Sequence, residues 1–427
     1  MKIIIGGTTY TKIKELSFAP QTDVVGSQIP INNFYVDIMT DDNISTGGMA
    51  QLVDDNNTLW AKYWLTKVER KDKETLYVEA VSFIELLDRS EMAAEYYNAE
   101  SFGNIVDDIF ASITTRISGN IYQVDSSIAS ETITGFAPVQ SARERLLWAC
   151  FVVGAYVRTT FTDVVDILPI DSSYEIIPIS KTFWKPKITY NDYVTEVRAV
   201  AYSYTQGTPQ ATDEWVQVGN TYYIQTKQEF NLANPDAPID AQENVVKIEG
   251  LTLINSSNVS DILTRISTYY FKRIQLEGEI INNAEYEPGA KVIINADEDT
   301  LISGYIYEAS FTFGNQAKSQ IKLVQTDEVE GGKLTIIGLY GDREIHRQTY
   351  NLPTGYNYSI ENPFIDIMIS GARYIFYPLD EYAEGTIVAG GVTDEESYDV
   401  ALRFESRKLF VYSVDELEQD GGELEIT

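Results

Sequence analysis

The sequence predicts a mainly β protein with an inserted α/β unit, and three features point there. Tyrosine and phenylalanine are abundant, at 29 and 17 residues, among frequent Val, Ile and Thr, a mixture that suits pleated, half-buried strands better than helix bundles. Two distant stretches read as alternating hairpins. Helical periodicity is confined to three short patterns, all lying between those hairpins.

The first hairpin is YWLTKVER at 63–70, a polar turn at 71–73, and ETLYVEAV at 74–81; a further candidate strand, NNFYVDIMT at 32–40, precedes it. The second is YIYEASFTF at 305–313, a turn at 314–316, and AKSQIKLV at 317–324, preceded by EPGAKVIINA at 287–296. Two similar hairpins, each with a strand before it, predict two related small β-barrels.

Between them SFGNIVDDIFASI, at 101–113, places Phe102, Ile105, Val106, Ile109 and Phe110 at helical spacing. The stretch SARERLLWACFVVGAYV, at 141–157, opens with Ser141 and Glu144 in capping-box spacing. Leu146, Leu147, Cys150, Phe151, Gly154 and Ala155 then line one face, while Arg143, Glu144 and Arg145 fill the first turn. Strands are expected at 156–160 and 163–168, the second stopping at Pro169. NVSDILTRISTYYFKR, at 258–273, offers Val259, Ile262, Leu263, Ile266, Tyr269 and Tyr270 on one face.

After the glycine-ended joint DEVEGG at 327–332, strands recur at short intervals: KLTIIGLY, YIFYPL, TIVAGG, YDVALRFE and KLFVYSV. The resulting division is a first β-barrel unit at 1–88, the α/β insertion at 89–182, a second β-barrel unit at 183–330, and a C-terminal all-β unit at 331–427.

Acidic residues number 64 against 32 basic ones, a net charge of −32, so the chain should repel phosphate backbones. One cysteine, Cys150, and one histidine, His346, argue against the usual zinc, copper and haem sets. Cys150 has no base near it in sequence and reads as a small buried hydrophobe. Asp41-Asp42-Asn43 and Asp54-Asp55-Asn56-Asn57 could hold a cation, but both lack the ordered spacing of a calcium loop and read as polar turns. No phosphate-cradling loop occurs, since Gly331-Gly332 and Gly390-Gly391 have no following Lys-Ser/Thr. The longest apolar run, 149–157, is too short to span a bilayer. The start MKIIIGGTTY has no long apolar signal core, so synthesis and assembly in the cytoplasm are expected.

Four stretches carry a family resemblance: IPINNFYVDIMTDD; VEAVSFIELLDRS leading into SFGNIVDDIFASI; SARERLLWACFVVGAYV with its hairpin; and ISTYYFKR followed by YEPGAKVIINADEDTLISGYIYEASFTF. In this order, over residues 1 to about 326, the chain resembles the baseplate hub proteins of tailed bacteriophages and related contractile injection particles, including the hub part of siphophage tail-associated (Tal) proteins. The resemblance implies two tube-like β-barrels per subunit, so that a homotrimer presents six barrels to a sixfold tail tube. It further implies a structural component of the virion tail, with the tail tube or a distal tail protein above and a tape-measure protein, spike or receptor-binding protein below. No catalytic residue, cofactor or metal is implied, and no close relative is recognised for 331–427.

Two other classes compete. A cell-wall glycosidase needs a carboxylate pair in a cleft, for which Asp366 and Glu85 are candidates because each interrupts an apolar run. The expectation is a polar strand face for Asp366 and an exposed helix or turn for Glu85. An adhesin could stack host glycan on Trp60, Trp64, Trp184 or Trp215, although tryptophan in a β protein is more often core.

Overall fold

The computed structural model describes residues 1–114, 119–170, 186–281, 286–295, 300–312 and 318–329, together with the backbone of Ile177–Ile179 and of the strands from Gly331 onward. The chain is mostly β, with four helices among the described residues: α1 (Ile84–Asp88), α2 (Phe102–Thr114), α3 (Ala142–Val153) and α4 (Val259–Tyr270).

Both hairpins form where alternation places them. Leu59–Arg70 pairs with Thr75–Val81, and Leu301–Thr312 pairs with Lys318–Val329, each antiparallel. They belong to one 13-stranded sheet. Its first half runs Ile13–Phe18, Asn33–Met39, Thr75–Val81, Leu59–Arg70, Met49–Val53, Lys2–Ile5. Its second half repeats that order as Lys187–Tyr190, Ile274–Ile281, Lys318–Val329, Leu301–Thr312, Lys291–Asn295, Ile177–Ile179.

Register makes the repeat specific. A bulge falls between Leu65 and Lys67 in one hairpin and between Ile306 and Glu308 in the other. Leu65 donates to Gly48 O at 2.8 Å and accepts from Gly47 N at 3.0 Å, while Ile306 donates to Ala290 O at 2.9 Å and accepts from Gly289 N at 2.7 Å. Gly47 and Gly289 both have positive φ, 89° and 101°, where a side chain would be strained. Leu65 and Ile306 are therefore equivalent. The strand Lys291–Asn295 then corresponds to Met49–Val53, while Asn33–Met39 corresponds to Ile274–Ile281. Chain order had matched EPGAKVIINA with NNFYVDIMT, since every half-buried strand shares one alternation and hydrogen bonding alone tells them apart. The halves differ at the outer strand, where Lys2–Ile5 is antiparallel to its neighbour and Ile177–Ile179 is parallel.

A single apolar core serves both halves, with Phe18, Phe34, Leu52, Tyr63 and Val78 from the first and Leu276, Ile294, Ile306 and Ile321 from the second. A second core gathers the helices: Ile105, Val106 and Ile109 of α2, Leu146 and Cys150 of α3, and Ile262 and Ile266 of α4 pack with Val197 and Ala199 of the strand Glu196–Gln206. The helix faces follow the periodicity that predicts them, though Leu147, Tyr269 and Tyr270 are only partly buried.

Helix α3 starts at a true capping box. Glu144 N donates to Ser141 Oγ and Ser141 N to the Glu144 carboxylate, each at 3.2 Å. It ends at Gly154, whose φ of 76° closes the last turn. The strands Ala155–Arg158 and Val165–Pro169 follow as the expected hairpin. Beyond Gly331 the described strands form two four-stranded sheets.

Candidate assembly site

The two halves of the large sheet meet where Phe311 pairs with Phe18 and Gln21 forms a bridge with Glu308. Two backbone bonds fasten this joint: Thr22 N to Tyr307 O at 2.9 Å and Ala309 N to Pro20 O at 3.1 Å. Aromatic rings fill its inner side. Phe18 stacks on Phe311 at 5.7 Å, Trp60 meets Phe311 edge-on at 4.8 Å, and Phe161 packs 4.9 Å from Trp60. Such contacts contribute on the order of 1 kcal/mol each beyond area burial.

Phe161 arrives on the tip of the 155–169 hairpin, which ties the helical unit to the joint. Its backbone N donates to Trp60 O at 3.0 Å, and Asn32 Nδ2 donates to Thr159 Oγ1 at 2.9 Å. At the hairpin's side Arg158 donates to Asp166 at 2.6 Å and to Glu287 at 2.9 Å, and Gln123 donates to the other Asp166 oxygen at 2.6 Å. Glu287 precedes the strand Lys291–Asn295, so this cluster links the insertion to the second half of the sheet. Burial pushes the Glu287 carboxyl up to about 7, against the opposing pull of Arg158.

The residues singled out in the sequence do not gather at one place. Cys150 is buried, and burial alone pushes its thiol up. Glu85 lies on α1 and accepts from Arg89, one turn away, at 2.5 Å. Asp54 caps its own turn by accepting from Thr58 N at 2.7 Å; desolvation opposes its ionisation, yet the hydrogen bonds from Thr58 hold its carboxyl below the usual range. Asp42 N donates to Thr40 Oγ1 in another such turn. Trp60 is core, Trp64 packs partly buried against the helical core, and Trp215 is 47% exposed, edge-on to Tyr222 at 5.2 Å. Trp184, Gly390 and Gly391 lie outside the described residues, as do the side chains of His346 and Asp366. Among the described residues no group of three or more His, Cys, Asp or Glu side chains is placed to hold a metal.

Of two grooves that hold carboxylates among the described residues, one runs along Asp192, Asp240 and Glu243 and the other lies between Glu15, Tyr35, Asp37 and Tyr77. Lys71 sits in the latter and pairs with Asp37 at 2.7 Å.

Sequence reasoning missed two groups. Arg145, placed in the first turn of its helix and off the apolar face, is fully buried and donates to Tyr97 Oη at 2.9 Å and to the Ala93 and Pro138 carbonyls at 2.8 Å. Its spacing with Ala142 and Ala149, both buried, was the available signal. The Arg158–Glu287 contact joins residues 129 apart and left no local trace.

No family model matches the chain, and no curated protein does. Solved structures share its fold. The tail protein from Neisseria meningitidis MC58 superposes with a TM-score of 0.52 at 11% identity, over 76% of this chain and 95% of that one. The prophage MuSo2 43 kDa tail protein from Shewanella oneidensis gives 0.51 at 10% identity, over 76% and 97%. The chain thus shares the fold of these two tail proteins, reached through very different side chains.

Proposed function

We propose that this chain is a structural hub of a phage tail or tail-like particle, a homotrimer adapting the sixfold tail tube to a threefold tip or spike. The observation that carries the reading is the repeated six-strand order with its shared bulge, since two equivalent units in one subunit turn threefold symmetry into six similar positions. The shared fold of the two tail proteins supports it.

On this reading residues 1–88 and 183–330 supply the tube-like units, the second joined by the strand Ile177–Ile179, the rest of 89–182 forms the insertion and 331–427 a further β unit. The tail tube or a distal tail protein contacts one end, and a tape-measure, spike or receptor-binding protein the other. A non-catalytic role agrees with the engagement of Glu85, Asp37, Asp166 and Glu287, each by a cation. Electron microscopy of particles labelled on this protein tests the assignment: label at the tube's distal end supports it, and label on the tube wall or on side fibres overturns it.

Glycan adhesion is a second reading, favoured by the exposed Trp215–Tyr222 pair. Glycan binding that Trp215→Ala abolishes would establish it.

A further inference from the structure

The repeat contains one joint twice over, and among the described residues only one copy of it is made within the chain. Phe18, Pro20, Gln21 and Thr22 run along the edge of 307–311, bonded by Thr22 N to Tyr307 O and Ala309 N to Pro20 O. Each partner has an equivalent in the other half. Since Leu65 matches Ile306 across the bulge, Thr66, Lys67, Val68 and Arg70 match Tyr307, Glu308, Ala309 and Phe311. Since Phe34 pairs with Ala80 as Leu276 pairs with Leu323, Phe34 matches Leu276; their outer neighbours Phe18 and Ile188 then match too. Continuing the count, Tyr190 matches Pro20, Asn191 matches Gln21 and Asp192 matches Thr22.

Both equivalent edges are open among the described residues. Met49–Val53 covers the strand Leu59–Arg70 only as far as Trp64, with the Gly47 and Gly48 bonds reaching Leu65, so 66–70 has no neighbour on that side. Lys187–Tyr190 ends the sheet, pairing with Ile274–Ile281 alone. Lys67, Glu69, Arg70, Lys187, Thr189, Tyr190, Asn191 and Asp192 are exposed, and Tyr190 is 60% exposed despite its size. An open strand edge is a template for another strand.

We infer that residues 187–192 of one copy of this chain pair antiparallel with residues 66–70 of the next, in the register that sets Ile188 against Arg70 and Asn191 against Lys67. The partner is therefore a second copy, bound head to tail. Val68 N donates to the neighbour's Tyr190 O as Ala309 N donates to Pro20 O within the chain. Internal and intersubunit joints then alternate, and the rotation closes after three copies, leaving no open strand edge at these positions. The strands carry mixed charges, Lys67, Glu69 and Arg70 against Lys187 and Asp192, which permits approach despite the net −32. The inference rests on the trimeric hub reading and specifies its contact.

Directly opposed residues of a non-hydrogen-bonded antiparallel pair bring their Cβ atoms within disulfide reach. Asn191 and Lys67 take that position, because the bonds of the internal joint fall on the pairs to either side of Gln21 and Glu308. Cys150 is buried and will not compete. The test is the full-length Lys67→Cys, Asn191→Cys protein, oxidised at high salt and run without reductant, with Glu69→Cys, Asn191→Cys as the shifted-register control. The expected result is a covalent trimer from the first pair and at least tenfold less from the second. A second variant, Val68→Pro, removes the donor on the open edge and should weaken association at least tenfold with the circular dichroism of the subunit unchanged. Trimers by light scattering without the specific cross-link, or unaffected by Val68→Pro, overturn the contact and leave the hub standing. A protein that never forms trimers, even in particles, removes the hub reading itself.

Discussion

Glu287 shows how one side chain reports its surroundings. Its carboxyl rises from 4.5 to about 7, chiefly by desolvation and despite Arg158. The folded protein therefore holds a proton that the unfolded chain releases between those values. The stability this group contributes is full below about pH 4.5 and is lost as pH rises through about 7. A shift of this size corresponds to on the order of 3 kcal/mol. We expect Glu287→Gln to remove that slope while Arg158 keeps Asp166 as its partner. Urea midpoints at pH 5 and pH 8 measure it, and equal pH slopes in wild type and variant would show that Glu287 is not the group responsible. Arg158→Ala has the opposite character: it leaves Asp166 with Gln123 alone and half-buried Glu287 without its cation, and should cost about 3 kcal/mol at pH 8.

At the scale of elements, α3 illustrates what short-range chemistry specifies. Ser141, Glu144 and Gly154 mark both ends within a residue or two, because capping involves only neighbours in the chain. Ser141→Ala should lower stability by about 1 kcal/mol. Gly154→Ala should cost more, since its left-handed backbone alone costs about 1–2 kcal/mol for a residue with a Cβ. That Cβ would also lie 2.8 Å from Arg265 Nη1, in a guanidinium packed over the Phe151 ring at 5.1 Å. Thermal denaturation of the two variants checks the ranking. Arg145, on the same helix, escaped local reasoning because its acceptors, the Ala93 and Pro138 carbonyls and Tyr97, lie on other segments.

Over the whole molecule the charge of −32 governs association. Like-charged copies repel until specific contacts form, so raising salt should shift the proposed assembly from monomer toward trimer. Light scattering from low to high salt follows this, and a stable dimer or tetramer indifferent to salt counts against the trimer. Duplex DNA should not bind even at low salt, for want of a basic surface to release its counterions. A retarded band in a mobility-shift assay would contradict that.

The sequence by itself determined what depends on spacing along the chain: the mainly β class, both hairpins, three helices with their buried faces, the excess of acid and the burial of Cys150. Alternation every two residues and recurrence every three or four survive as patterns, whatever the strand or helix packs against. Only the tertiary structure decided that the two hairpins share one sheet and one core, that Lys291–Asn295 answers to Met49–Val53, and that Arg158 spans to Glu287. Those facts depend on register between segments far apart in sequence, and a strand's pattern of buried and exposed residues does not name its neighbour.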